Sequence, residues 1–198
     1  MRVFLAGDGS SDKVLQFPCQ WLFRELRHPT DVLFLPEPSR PQPLRNRLAE
    51  ALTGEPDLLL VHRDAEKEVW KVRRAEIEAA VQSLEAAQGR TVAIVPVRMT
   101  EAWFLIDEPA LRRAAGNPNG KDPLQMPAPQ SLEGLVDAKE VLYHNFRLAS
   151  GLRGRQPSSL RPSQCVHRLA ELIADFSPLR RLPAFQEFEA ELQRFLAG

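Results

Sequence analysis

Cysteine is nearly absent: the chain has 198 residues and only two cysteines, Cys19 and Cys165. They match no metal-ligand spacing and form no disulfide framework, so a disulfide-stapled secreted scaffold is excluded and reduced cytosolic thiols are expected. Net charge is absent too, with 26 basic and 26 acidic side chains. That balance excludes the global basic field of a DNA-coating protein and leaves any nucleic-acid contact to a local patch. No apolar run approaches the roughly 18 residues of a membrane span. The chain opens on the strand-like Arg2-Val3-Phe4-Leu5-Ala6, without the residue order of a signal peptide. The expectation is a soluble, cytoplasmic protein with no membrane segment. No internal repeat is visible. Apolar residues, by contrast, make up 43%, enough for a sizeable core of one domain or one domain with an appendage. The 17 prolines cluster at 36–43, 118–129 and 157–183, which marks loops or junctions.

The most informative stretch is Asp57-Leu58-Leu59-Leu60-Val61-His62-Arg63-Asp64-Ala65-Glu66. Its short continuous apolar run reads as a strand buried on both faces, as in a parallel sheet. Asp64 and Glu66 fall just past the carboxyl end of that strand, where open α/β sheets bind ligands. Two carboxylates at this spacing can share a hard divalent cation. They can equally be a solvated acidic turn leading into a helix whose first residues favour acids.

Around this stretch the pattern alternates. Arg2–Ala6 reads as strand one, ending in Gly7-Asp8-Gly9-Ser10-Ser11-Asp12, a tight turn with serines able to cap the next helix. That helix carries Val14, Leu15, Phe17, Trp21, Leu22 and Leu26, with Pro18 either in its first turn or at a kink. Strand two is 31–35, followed by a helix over about 43–53 that ends at Gly54. A helix over about 67–88 follows strand three and stops at Gly89. Strand four is 91–97, leading into a short helix that begins with Thr100 as its cap and has Asp107 at its end. Four such alternations predict an α/β fold with a mostly parallel, Rossmann-like four-stranded sheet flanked by helices, of order 2-1-3-4. This domain covers 1–115. A Pro-, Asn- and Gly-rich linker covers 116–134, and a helical C-terminal subdomain packed on the first domain covers 135–198, with helices near 135–150, 163–175 and 184–196.

In that order, Asp8 after strand one, Asp64 and Glu66 after strand three, and Glu101 after strand four open on one crevice. Clustered carboxylates repel and raise each other's pKa unless a cation joins them. The arrangement is therefore a metal site or a coincidence of helix-cap acids. A metal there would activate water and neutralise charge on a phosphoryl oxygen. His62 can bind phosphate or shuttle a proton, and strand alternation also allows it to face a neighbouring helix. Arg63 suits a phosphate clamp or a structural pairing with an acid. Asp12 and Lys13 read as first-turn helix residues, and Trp103 and Phe104 as core. Arg147, Arg153 and Arg155 sit in or beside a Gly/Ser/Pro-rich stretch, either contacting a nucleic-acid backbone or merely solvated. The Gly7–Ser11 turn lacks the Lys-Ser/Thr ending of a phosphate-binding Walker loop.

Gly7-Asp8-Gly9, Arg63-Asp64-Ala65-Glu66 and Thr100-Glu101-Ala102-Trp103-Phe104-Leu105-Ile106-Asp107 together resemble the motif series of TOPRIM domains. The nearest resemblance is to a small stand-alone TOPRIM-like family of unknown function related to the OLD-type nucleases. Asp137-Ala138-Lys139 resembles that family's Asp-Pro-Lys segment, and Pro183-Ala184-Phe185-Gln186-Glu187-Phe188 its Pro-x-Phe-x-x-Phe ending. The resemblance covers nearly the whole chain. It implies a Mg2+- or Mn2+-dependent nuclease in which Asp64, Glu66 and Glu101 hold the metal and Asp8 is the acid/base. Lys139 joins the catalytic set if the helical cap folds over the sheet. It also implies a nucleic-acid substrate, DNA ahead of RNA, and a separate ABC- or AAA-type ATPase partner in antiphage defence or DNA repair. Two residues depart from the pattern. Asp8 stands where Glu is usual, shortening the reach by about 1.5 Å, and Glu66 stands where Asp is usual. These departures support an alternative, a catalytically degenerate binding or regulatory subunit of such a complex.

Overall fold

The computed structural model describes residues 1–35, 42–65, 68–97, 99–152 and 160–198. Glu66, Arg153 and Arg155 lie outside the described residues. A four-stranded, all-parallel sheet of order β2-β1-β3-β4 lies at the centre, built from β1 (Val3–Ala6), β2 (Val32–Phe34), β3 (Leu58–His62) and β4 (Thr91–Ile94). The central strands β1 and β3 pair from Val3 with Leu58 to Ala6 with Val61, and every residue of both is buried. This is the burial expected of a parallel strand covered on both faces, and it is why these runs are continuously apolar.

Alternation along each strand divides the core in two. Phe4, Ala6, Leu59, Val61 and Ala93 face α2 (Leu44–Leu52) and α3 (Trp70–Gln82), meeting Leu48, Ala51 and Ile77. Val3, Leu5, Leu58, Leu60, Val92 and Ile94 face the other way, towards α1 (Gln16–Glu25) and the chain beyond β4. That second half consists of α4 (Glu108–Ala114), α5 (Ala138–Ser150), α6 (Pro162–Leu172) and α7 (Pro183–Ala197). The C-terminal helices thus share one apolar core with the sheet. Phe185 is fully buried in that core, edge-on to Trp103 at 5.2 Å and to Phe188 at 5.8 Å. Trp103 and Phe104 are core residues, as their apolar neighbours suggested.

Several local details differ from the sequence reading, each for a physical reason. A 3-10 turn over Ser10–Leu15 precedes α1, so Pro18 falls within the first helical turn, where a missing N–H costs nothing. Helix α3 ends at Gln82, well before Gly89, because a second short 3-10 turn over Glu85–Ala87 leads into the left-handed Gly89. Thr100 does not cap a helix. Residues Thr100–Phe104 form a 3-10 turn preceded by Met99, and the threonine side chain is used elsewhere. Asp107 starts a helix rather than ending one: its carboxylate accepts from the Ala110 N–H at 2.8 Å and caps α4. The linker over 116–134 is a loop for most of its length, as expected, and it is held to the helices. Buried Asn145 on α5 donates to the Gln125 carbonyl at 3.1 Å and accepts from the Gln125 N–H at 2.7 Å, while Leu124 and Met126 pack on the core.

The sheet edge at β4 is closed by α7, where the Glu191 carboxylate accepts the Ala93 N–H. Arg74 on α3 reaches Glu191 at 3.1 Å and Glu187 at 3.2 Å, fastening α7 to the opposite layer. Covering an edge in this way removes a template for unwanted strand pairing.

Candidate functional site

The acids converge because the backbone between β3 and β4 keeps its ladder beyond the strands themselves. The Arg63 N–H donates to the Ile94 carbonyl at 3.1 Å and the Ala65 N–H to the Pro96 carbonyl at 3.2 Å, which fixes Asp64 between them. Continuing the alternation of β3, His62 lies on the Leu58–Leu60 face, towards the C-terminal helices. Its ring is 1% exposed. Its Nδ1 lies 3.2 Å from the Ile94 carbonyl, which can only accept, so Nδ1 carries a proton. Its Nε2 faces Thr100 Oγ1 at 3.3 Å, Asp64 Oδ1 at 3.5 Å and Asp12 Oδ2 at 3.6 Å. The Thr100 hydroxyl donates to Asp64 Oδ1 at 2.9 Å, so a proton on Nε2 would face acceptors on every side. His62 thus faces the Asp12 and Asp64 carboxylates from the side of the sheet turned to the C-terminal helices.

Asp12 comes from the turn after β1. Its Oδ2 accepts the N–H groups of Asp8 at 2.7 Å and Gly9 at 3.0 Å, and its own N–H donates to the Gly9 carbonyl at 3.1 Å. This folds the turn back on itself so closely that a Cβ on Gly7 would stand 2.7 Å from the Asp12 Cβ. A first-turn helix position gave Asp12 no special weight in the sequence. The signal that could have found it is the Gly7-x-Gly9-x-x-Asp12 spacing, which lets a carboxylate bind its own preceding amides.

Asp64, Asp12, Thr100, Glu101 and Lys139 line one cavity of about 570 Å³ at the carboxyl ends of β1, β3 and β4. Lys139, at the start of α5, reaches Glu101 at 3.6 Å and lies over the Tyr143 ring at 5.8 Å. The helical part of the chain therefore does fold over the sheet and brings Lys139 to the acids. Burial, above all, raises the Asp64 carboxyl from 3.8 to about 6. His62 and the Thr100 hydroxyl oppose the rise, and the Asp12 and Glu101 carboxylates add to it.

Asp8 is placed differently. Its side chain does not line the cavity but is held by Arg47 at 3.2 Å and Arg63 at 3.4 Å, and Arg63 also reaches Glu76 at 2.5 Å. Arg63 is thus spent on structural pairing. Arg147 is exposed, paired with Glu140 on the same face of α5, and does not line the cavity. Arg153 and Arg155 lie outside the described residues, as does Glu66, so the acidic pair after β3 is seen only in its first member.

Carboxylate side chains from three segments line one cavity, and the Asp12 and Glu101 carboxylates contribute to the raised Asp64 carboxyl. Among the described residues no three His, Cys, Asp or Glu side chains stand close enough together to hold a metal ion. Asp64 and Glu101 present two carboxylates to the cavity, and Glu66 follows Asp64 by two positions.

Fold and site together define a parallel α/β protein with an acidic, lysine-bearing cavity at its strand ends. Comparison with known proteins finds no matching family model, no matching curated protein and no matching solved structure. No helix among the described residues is long and apolar enough to cross a membrane.

Proposed function

We propose that the chain is a Mg2+- or Mn2+-dependent nuclease of TOPRIM type acting on DNA or RNA. The observation that carries this reading is the meeting of Asp64, Glu101 and Lys139, from three separate segments, in one cavity at the strand ends. Asp64 and Glu101, with Glu66, would hold the metal, which when bound supplies a polarised phosphoryl group and a more acidic water. The chain's own residues do the rest. His62 and Thr100 hold the Asp64 carboxylate through its Oδ1. Asp12 holds the turn after β1 in place through the amides of Asp8 and Gly9. Lys139 brings a positive charge beside Glu101, where it can neutralise a phosphate oxygen. Asp8 is the proton-handling residue by resemblance, and using it requires its release from Arg47 and Arg63. An ATPase partner in antiphage defence or DNA repair belongs to the same reading and rests on the motif resemblance alone, as does cytoplasmic location on composition.

The two arginines on Asp8 favour a second reading, a catalytically degenerate subunit that keeps the fold to bind nucleic acid or a partner. Cleavage of labelled single- and double-stranded DNA and RNA separates the two. The nuclease reading expects cleavage in Mn2+, none in EDTA, and a loss of about a hundredfold or more in Glu101→Gln. Metal-independent cleavage, or activity unchanged in Glu101→Gln, would sink it.

A further inference from the structure

We infer that the cavity takes one nucleotide unit of a single strand, its phosphate towards Lys139 and the acids and its base against the wall formed by α5 and α6. The inference rests on the phosphodiester reading above for the phosphate end and goes beyond it in the form of the substrate. A volume of about 570 Å³ falls within the range of sites that enclose a small ligand. A base pair within a duplex cannot enter such a space; a single nucleotide, or one turned out of a strand, can.

The lining is sorted by chemistry in the way a nucleotide needs. Asp12, Asp64, Glu101 and Lys139 come from the turn after β1, the strand ends and the start of α5. Lys13 and Thr100, sequence neighbours of Asp12 and Glu101, add to the polar end, while Met99, Phe104, Tyr143 and Val166 supply the apolar lining, in which the Tyr143 ring, with Lys139 5.8 Å from its centroid, is the surface for stacking. At the rim, the exposed Ser163 and Gln164 at the start of α6 offer neutral donors and acceptors of the kind that read a base edge. His167 completes this side, fixed edge-on to Phe17 at 5.6 Å and paired with Glu171 at 3.3 Å. A free phosphate would use only the charged end of the cavity. The balance of 26 basic and 26 acidic residues also gives no broad field for a duplex backbone.

The test is calorimetric titration of the full chain in Mn2+ with thymidine monophosphate, inorganic phosphate, a single-stranded ten-nucleotide oligothymidylate and a blunt duplex. Thymidine monophosphate is expected to bind more tightly than inorganic phosphate, and single strand about tenfold or more tighter than duplex. Tyr143→Ala is expected to weaken thymidine monophosphate about fivefold or more and to leave inorganic phosphate unchanged. Gln164→Glu, at an exposed position that keeps the fold, places a negative charge at the rim and is expected to weaken it similarly. The inference is overturned if thymidine monophosphate binds no better than phosphate, if duplex binds as well as single strand, or if both variants bind like the parent. Cleavage assays on the same samples keep the two claims apart. Duplex cleavage without nucleotide binding removes this inference and leaves the nuclease reading. Nucleotide binding with the expected variant losses, but no cleavage of any substrate, supports this inference and removes the nuclease reading.

Discussion

Replacing Asp64 by Asn should stabilise the protein at neutral pH, against the usual effect of altering a buried polar group. The Asp64 carboxyl is raised from 3.8 to about 6, chiefly by burial and secondarily by the Asp12 and Glu101 carboxylates. Its side chain is 27% exposed, so solvent screens it only in part. The folded state holds this proton more tightly than the unfolded chain. Stability contributed by the protonated form is complete below pH 3.8 and is lost as pH rises from there through about 6. Above that window the ionised carboxyl costs at most about 3 kcal/mol. Asn keeps an oxygen to accept from Thr100 and carries no charge, so it removes this cost. Urea unfolding at pH 7.5 without divalent ions should show Asp64→Asn more stable by up to about 3 kcal/mol, or roughly 6 to 12 °C in Tm for a chain of this size. At pH 4.5 the advantage should shrink to about 1 kcal/mol. A variant no more stable than the parent at pH 7.5, or an advantage independent of pH, would refute the placement of Asp64 as a buried acid among acids.

Two further substitutions test the scaffold. Phe185→Ala empties a fully buried position between Trp103 and Phe188 and should cost about 3–5 kcal/mol in chemical denaturation. A cost below about 1 kcal/mol would mean that α7 is not part of the sheet's core. Gly7→Ala drives a methyl to 2.7 Å from the Asp12 Cβ, and should cost about 1–3 kcal/mol while reducing metal affinity, read by denaturation and by Mn2+ titration. Unchanged stability would show that the turn after β1 is looser than the Asp12 hydrogen bonds require.

The sheet was legible because burial on both faces leaves a plain mark. Leu58–Val61 and the apolar residues from Thr91 onward read as strands without any knowledge of their neighbours, and the observed order matches the expected 2-1-3-4. Asp64, Glu101 and Lys139 were legible as candidates, and the structure brings all three to one cavity. Three features were hidden because they depend on contacts distant in sequence. Asp12 is the first-turn acid the sequence suggested, but its approach to His62, on the strand beside it, left no mark in the local pattern. Thr100 matched a helix cap in type and position, but its hydroxyl is taken by Asp64, 36 residues earlier. Asp8 satisfied the strand-end rule, yet Arg47 and Arg63 draw its side chain to another partner set. A local pattern fixes which residues sit at a strand end; which way each side chain turns is decided by the charges the rest of the fold places nearby.

The most direct test of the metal-bearing site is calorimetric titration of Mn2+ into the parent protein and into Asp64→Ala at pH 7.5. Saturable binding that disappears in the variant, with the variant still folded by circular dichroism, is the expected result. Binding of equal strength in both proteins, or none in the parent even with single-stranded DNA present, would contradict it.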